Sequence, residues 1–274
     1  MAISSDTIHD QPQPGRPPWE VTRSVWSALF VREFLARLMA DRLAWFWMIV
    51  EPIAFVAIMI AVRVVVLGHD AQIAGAEFVP WMITGLLGFF LFRENMQRPI
   101  GAIEANQGLF AYRQVKPVDT VLVRCYLEGM TRSVIFLLFI AVGALIQLDL
   151  MPDRPVMAMA GWVSLWALGI GAGLTLSALS ALVPEISKLV RIVSLPLLIL
   201  SNVIAPLHLL PHDLLVYLMY NPIVHGIEYM RVGFFPYYEP LPGTDITYLW
   251  YWALGLIALG LMLHLRFELR LKAK

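Results

Sequence analysis

The chain offers one pairing that looks like a nucleophile with its base, Ser177 or Ser201 with His264, all in apolar segments. A protease working inside a bilayer needs such a pair on facing helices. Only the presence of both residue types speaks for it, and serines in membrane helices ordinarily bond a backbone carbonyl or line a helix contact. Two of the six histidines, His208 and His212, stand four apart, but Pro211 between them spoils the helical geometry that would aim both at one ion. No metal site is expected. No segment matches the Gly-x-x-x-x-Gly-Lys-Ser/Thr phosphate loop, so nucleotide energy must come from a partner. Gly169-Ile170-Gly171-Ala172-Gly173 is no dinucleotide fingerprint, because it sits inside an apolar run with no strand before it.

Ionisable and aromatic groups in apolar surroundings are the remaining candidates. Glu51, followed by Pro52, lies about two turns inside its run, and Arg63 lies near the far end, where it can snorkel. Charge at membrane depth is expensive, so a conduit role for Glu51 weighs as much as that of a partnered structural carboxylate. Trp45 and Trp47 fall at one interface, and Trp81, Trp162, Trp250, Trp252, Tyr248 and Tyr251 at the other, with Trp166 one turn deeper than Trp162. An aromatic belt explains most of them. The other reading is a set of stacking platforms for a sugar chain, since an aromatic face accepts the apolar C–H side of a pyranose. On that reading Trp45, Trp47, Glu51, Arg93 and Trp166 line the conduit.

These residues need elements to hold them, and composition says where the elements lie. With 59% hydrophobic and 15% charged residues over 274 positions, the chain is an integral membrane protein. Its formal net charge is zero, which gives no reason to expect nucleic acid as a partner. The single cysteine, Cys125, excludes an internal disulfide and reads as a packed thiol. The first apolar run begins near Leu43, behind a Pro-rich polar start and an arginine-bearing stretch, the wrong layout for a cleaved signal peptide.

Low-charge segments of membrane length run over 43–67, 78–92, 129–148, 156–183, 192–206 and 246–265, giving six expected spans. The second is short, about 15 residues against a core of about 30 Å, and needs thinning or snorkelling to cross. With both termini cytoplasmic, the inner side collects Arg32, Arg37, Arg93, Arg98, Arg113, Lys116, Arg124, Lys188, Arg191 and Arg266 among others, while outer loops hold only Arg154 and Arg231. That asymmetry sets the orientation. Gly169, Gly173, Ser177 and Ala181, at four-residue spacing, form a small-residue face expected to pack within one subunit.

Three segments do not fit the span pattern. Residues 1–20 read as a disordered cytoplasmic start. Residues 21–42 contain no Pro or Gly, and Glu33, Arg37 and Asp41 repeat at i, i+4, so their charges are expected to pair along one stripe of an interfacial helix. A solvated helix packed on another subunit is the other reading. The Pro184 start and mixed charge of 182–191 suit a short helix parallel to the membrane, docking a cytoplasmic motor subunit through Glu185, Lys188 and Arg191 together with Arg32 and Glu33. The alternative is a solvated turn. Finally, the apolar pieces of 210–231 are broken at Pro211 and at Asn221-Pro222, and each is too short to cross. They read as a re-entrant hairpin on the outer side, carrying His225, Gly226, Glu228 and Arg231.

Val31-Arg32-Glu33-Phe34 with Leu43-Ala44-Trp45-Phe46-Trp47 and Glu51-Pro52 resembles the opening of type-2 ABC exporter permeases. Glu104-Ala105-Asn106-Gln107-Gly108-Leu109 with Gln114-Val115-Lys116-Pro117-Val118-Asp119 and Arg124 is similar to the cytoplasmic loop of that family's polysaccharide branch. Leu210-Pro211 followed by Tyr220-Asn221-Pro222-Ile223-Val224-His225-Gly226-Ile227-Glu228 and Arg231 resembles the tail of capsule-export permeases of the KpsM type. The likeness runs from about Val21 to the end, and O-antigen and teichoic-acid permeases share much of it. It implies an all-α polytopic permease domain over 21–274, with six transmembrane helices, an amphipathic interfacial helix and a periplasmic re-entrant hairpin before the last span. It further implies a homodimer in the bacterial inner membrane, bound to two copies of a separate ATPase that carries ATP and Mg. That assembly exports a lipid-linked capsular polysaccharide, with a periplasmic co-polymerase and an outer-membrane exporter as further partners. A small-molecule exporter of the same class keeps the same plan.

Overall fold

Proline at the first helical turn lacks an N–H that would be unsatisfied there anyway, and four helices among the described residues open that way, on Pro18, Pro117, Pro155 and Pro222. The computed structural model describes residues 17–40, 44–67, 72–204, 206 and 211–273. In chain order come α1 (Pro18–Ala40), α2 (Ala44–Leu67), a small antiparallel pair β1 (Gln72–Ile73) and β2 (Ala76–Glu77), then α3 (Phe78–Gln97). Two 3-10 turns, Arg98–Gly101 and Glu104–Ala111, lead to α4 (Pro117–Leu145) and α5 (Pro155–Leu182). The rest is α6 (Glu185–Ile199), α7 (His212–Leu218), α8 (Pro222–Phe234), α9 (Ile246–Arg266) and α10 (Glu268–Lys272).

The core forms around α5, which packs on α3, α8 and α9. Its small residues let the backbones close in: a Cβ on Gly169 would stand 2.7 Å from the Asn95 Cβ of α3, and one on Gly173 would collide with the Asn95 carbonyl. The small-residue face of α5 therefore packs inside this subunit. Gly226 on α8 does the same towards α5 and α9, where an added Cβ would meet Leu165 and Leu249 at 2.6 and 2.7 Å. The ends of α3, α4, α5 and α9 alternate, so Gln97, Pro117, Leu182 and Arg266 gather at one end and Phe78, Leu145, Pro155 and Ile246 at the other.

Among the described residues, three helices are long and apolar enough to cross a membrane: α4, α5 and α9. The expected second span, 78–92, continues as helix to Gln97, because Arg93 and Glu94 pair with each other rather than facing lipid as lone charges. The expected short helix in 182–191 and the start of the expected fifth span, 192–206, fall on one continuous helix. It begins at Glu185, carries Pro196 inside and stops at Ile199. At 1.5 Å per residue it is about 22 Å long, short of a bilayer core of about 30 Å. The chain then turns inward through Asn202, whose φ of 57° is left-handed. Helix α1 starts at Pro18, so the polar start ends earlier than residue 20. Residues 1–16, Asp41, Arg42, Leu43 and 207–210 lie outside the described residues, as do the side chains of Trp45, Glu51 and Arg63.

Candidate functional site

Two polar clusters occupy opposite ends of the helix bundle, and each is built on a carboxylate that the surrounding helices bury. At the end where the sequence places its cations, α1 and α4 run side by side in the same direction. Glu33 pairs with Arg124 at 2.6 Å, and Arg37 pairs with Glu128. Trp26 Nε1 donates to Asp119 at 2.9 Å, one step earlier on both helices. The expected pairing of Glu33 with Arg37 along α1 is therefore replaced by a ladder between helices: each i, i+4 couple faces its opposite charge on the neighbour. Arg32 donates to Asn106 Oδ1 in the second 3-10 turn at 2.5 Å.

Arg98 ties this ladder to α3. Its Nε lies 2.8 Å from Glu94 and 3.7 Å from Glu128, and both carboxylates are buried. Glu94 also receives Arg93 at 2.8 Å and has the buried Arg132 at 3.6 Å. The guanidiniums of Arg93 and Arg132 lie 4.4 and 5.7 Å from the Phe90 ring. Buried charge is tolerated only when it is paired and hydrogen-bonded, and this network supplies a partner for each carboxylate. Glu185, Lys188 and Arg191 project from the first turns of α6 into solvent near it. Arg32 and Glu33, in contrast, are engaged within the chain.

At the opposite end Glu228 of α8 is fully buried and accepts four hydrogen bonds, from the turn after α6, from α8 itself and from the α8–α9 connection. Asn202 Nδ2 at 2.7 Å, Tyr238 Oη at 2.8 Å and Arg231 Nη1 at 3.2 Å reach one oxygen, and the Leu241 N–H reaches the other at 2.9 Å. Arg231, also fully buried, donates to the Trp81 carbonyl at 3.1 Å and lies 3.7 Å over the Trp81 ring. Trp81 Nε1 in turn donates to Tyr238 Oη at 3.3 Å. Burial pushes the Tyr238 phenol above its ordinary range, so it stays protonated and keeps donating. Gly85 on α3 leaves the room that the Arg231 guanidinium fills.

The segment 211–231 forms two short helices meeting at Met219–Asn221. Pro211 stands just before α7, and Asn221 caps α8 by accepting from the Ile223 N–H at 3.1 Å, with Pro222 at the first helical position. Asn221 Nδ2 also donates to Ser201 Oγ at 3.0 Å, tying this turn to the end of α6. His225 joins the turn to α9: one ring nitrogen lies 2.8 Å from the Met219 carbonyl and the other accepts from the Asp245 N–H at 2.9 Å.

Other expected residues are placed differently. Trp81 and Trp162 are buried rather than set in an interfacial belt, Trp162 donating to Ser133 Oγ at 2.9 Å and stacking on Phe136 at 4.5 Å. Trp252 and Tyr251 keep the exposed position a belt requires. Of the expected conduit residues, Trp47 is exposed beside Phe46, Arg93 lies on Glu94, and Trp166 stacks on Tyr126 over Gly129. Ser177 and His264 do meet, at 3.1 Å, but the single Ser177 proton goes to the Leu174 carbonyl at 3.0 Å. Nε2 must then carry the proton of that contact, which leaves the basic nitrogen, Nδ1, turned away from the hydroxyl. This is no activated nucleophile. Glu94, Glu128, Asn202 and Tyr238 escaped the sequence reading, which had Arg98 only as an inner-side cation, able with Arg93 and Lys116 to attract an anionic head group, and not as a brace between two carboxylates. The signal available for the two glutamates was an i, i+4 recurrence of opposite charge in two separate segments, Glu94 with Arg98 and Glu128 with Arg124 and Arg132, and for Asn202 and Tyr238 there was none.

The chain matches the model of the ABC-2 type transporter family over residues 24–235. It is 32% identical to the polysialic acid transport protein KpsM of Escherichia coli over 249 residues, covering 91% of this chain and 95% of that one. It is 27% identical to the capsule polysaccharide export inner-membrane protein CtrC of Neisseria meningitidis, covering 90% and 92%. With BexB of Haemophilus influenzae, also a capsule polysaccharide export inner-membrane protein, it shares 26% identity over 77% of this chain and 79% of that one.

Proposed function

The chain belongs to the ABC-2 type transporter family, and from that premise we propose that it is the permease subunit of an ATP-driven exporter carrying a lipid-linked capsular polysaccharide across the bacterial inner membrane. The observation that carries this reading is the near end-to-end likeness to a polysialic acid transport protein. No catalytic group is assigned. The chain forms a homodimer around a conduit, with both termini cytoplasmic, and a separate ATPase binds ATP and Mg. Supporting the coupling role, Glu185, Lys188 and Arg191 stand exposed at the start of α6, beside the ladder through which α1 grips α4 and, by way of Arg98, α3. A force applied to α6 or to α1 is delivered to buried ion pairs rather than to a mobile loop.

The α7–α8 pair is the re-entrant hairpin of the outer side. What supports it is length: seven and 13 residues reach about 10 and 20 Å, less than the core they would have to cross. A periplasmic co-polymerase and an outer-membrane exporter receive the chain beyond. The test is reconstitution with the ATPase in vesicles. ATP-dependent uptake of lipid-linked glycan is expected, with no ATP hydrolysis by the permease alone. Hydrolysis by the isolated chain, or a reconstituted complex that moves small amphiphiles but no glycan, overturns the reading.

A further inference from the structure

Between the inner ends of α3, α4, α5 and α6 lies a cavity of about 540 Å³. That is within the range of small-ligand sites, roughly 300–1,000 Å³. Its walls are polar. Arg98, Arg124 and Arg191 converge there with Ser180 and Ser187. Pro184, Ser187 and Arg191 recur at three- and four-residue spacing, so one side of α6 faces the space, and the first 3-10 turn lines it too through Arg98, Ile100 and Gly101. The space beside Gly101 is open: a Cβ there would meet nothing within 4 Å.

The three guanidiniums are not equivalent. Arg124 is held by Glu33, and Arg98 lies between Glu94 and Glu128. Arg191 is exposed and forms no ion pair among the described residues. Glu94 and Glu104 also line the cavity; with Glu33 and Glu128 they balance Arg98 and Arg124, so Arg191 is the guanidinium there that no ion pair occupies among the described residues. Just past Arg191, α6 exposes Ile192 and Leu195, which are 70% and 68% accessible, and Leu189 lies on the same flank. An arginine-bearing hollow bordered by an apolar helix flank, at the end of the bundle where the cations gather, complements a molecule with an anionic head and an acyl tail. Guanidinium and phosphate oxygens match in charge and in fork geometry.

We infer that this cavity binds the phosphate group of a lipid headgroup arriving from the inner leaflet, with Arg191, which forms no ion pair among the described residues, as the principal donor and Arg98 and the Ser180 and Ser187 hydroxyls around it. The inference rests on the proposed export of a lipid-linked substrate and names the part of that substrate the permease holds. Arg98 serves two roles, since its Nε braces Glu94 while its exposed side chain borders the cavity.

The test uses the chain in complex with its ATPase, in micelles without nucleotide, and a short-chain phosphatidylglycerol as probe. Controls are diacylglycerol with the same tails and inorganic phosphate. Phosphatidylglycerol is expected to bind at least about tenfold more tightly than either control, and Arg191→Gln to weaken it about tenfold, the loss typical of one charge-assisted hydrogen bond. Gly101→Phe, which fills the hollow without altering a charge, is expected to abolish binding while the complex elutes unchanged. Unchanged affinity in both variants overturns the site. Inorganic phosphate binding as tightly as the lipid, with the same loss in Arg191→Gln, overturns the lipid assignment. Because binding is read without transport, a complex that exports glycan yet fails this test sinks the site and leaves the exporter standing.

Discussion

Glu228→Gln is the most demanding test of how the outer end is built. The substitution keeps the size of the side chain and removes its charge, and it leaves Arg231 as a cation in a site where both residues are fully buried. Breaking a buried pair by removing one partner costs about 3–5 kcal/mol. Arg231 keeps the Trp81 carbonyl at 3.1 Å and the Trp81 ring at 3.7 Å, which favours the lower end of that range. Gln offers one carbonyl oxygen where the carboxylate offered two, so one of the contacts from Asn202, Tyr238 and the Leu241 N–H is lost or lengthened. A loss of about 3 kcal/mol corresponds to roughly 6–12 °C in midpoint for a chain of this size. The assay is thermal loss of the monodisperse peak in size-exclusion chromatography of the micellar protein. Arg231→Met added to Glu228→Gln removes the stranded charge, and the double variant is expected to recover at least half of the deficit, a coupling that double-mutant cycles resolve. A shift below about 2 °C in Glu228→Gln, or additive losses in the double variant, would refute the view that this pair locks α8 to α3.

Two further outcomes are expected. Glu33→Arg and Arg124→Glu should each lower export and stability, by about 1 kcal/mol because both side chains are only partly buried, while the exchanged double variant restores both; failure of the exchange to rescue either would disconnect the α1–α4 ladder from coupling. In a Cys125→Ser background, an impermeant maleimide on intact cells should label a cysteine at Tyr237, which is 82% exposed, and should leave one at Lys272 unlabelled; the neighbouring Tyr238 is too buried to report. Labelling at Lys272 would reverse the last helix and refute the placement of both ends.

Amino-acid order alone determined the membrane character of this chain, its one cation-rich side and the prolines that break the segment 211–231. Those properties follow from local composition: apolar run length sets what can cross, arginine placement sets the side, and proline sets where a helix opens. The family likeness was legible for the same reason, since its motifs are contiguous. Tertiary structure decided which charges meet. Glu33 and Arg37 look like a pair on one helix, yet 91 residues separate each from its partner on α4, and no local rule reports that distance in space. The same holds for Trp81, which by sequence is an interfacial tryptophan and in the fold is a lid on Arg231, 150 residues later. It holds also for α6, where hydropathy runs on past Ile199 but the chain turns at Asn202 because Glu228 has a hydrogen bond for it. Burying a charge is governed by which partners surround it, and only packing brings those partners together.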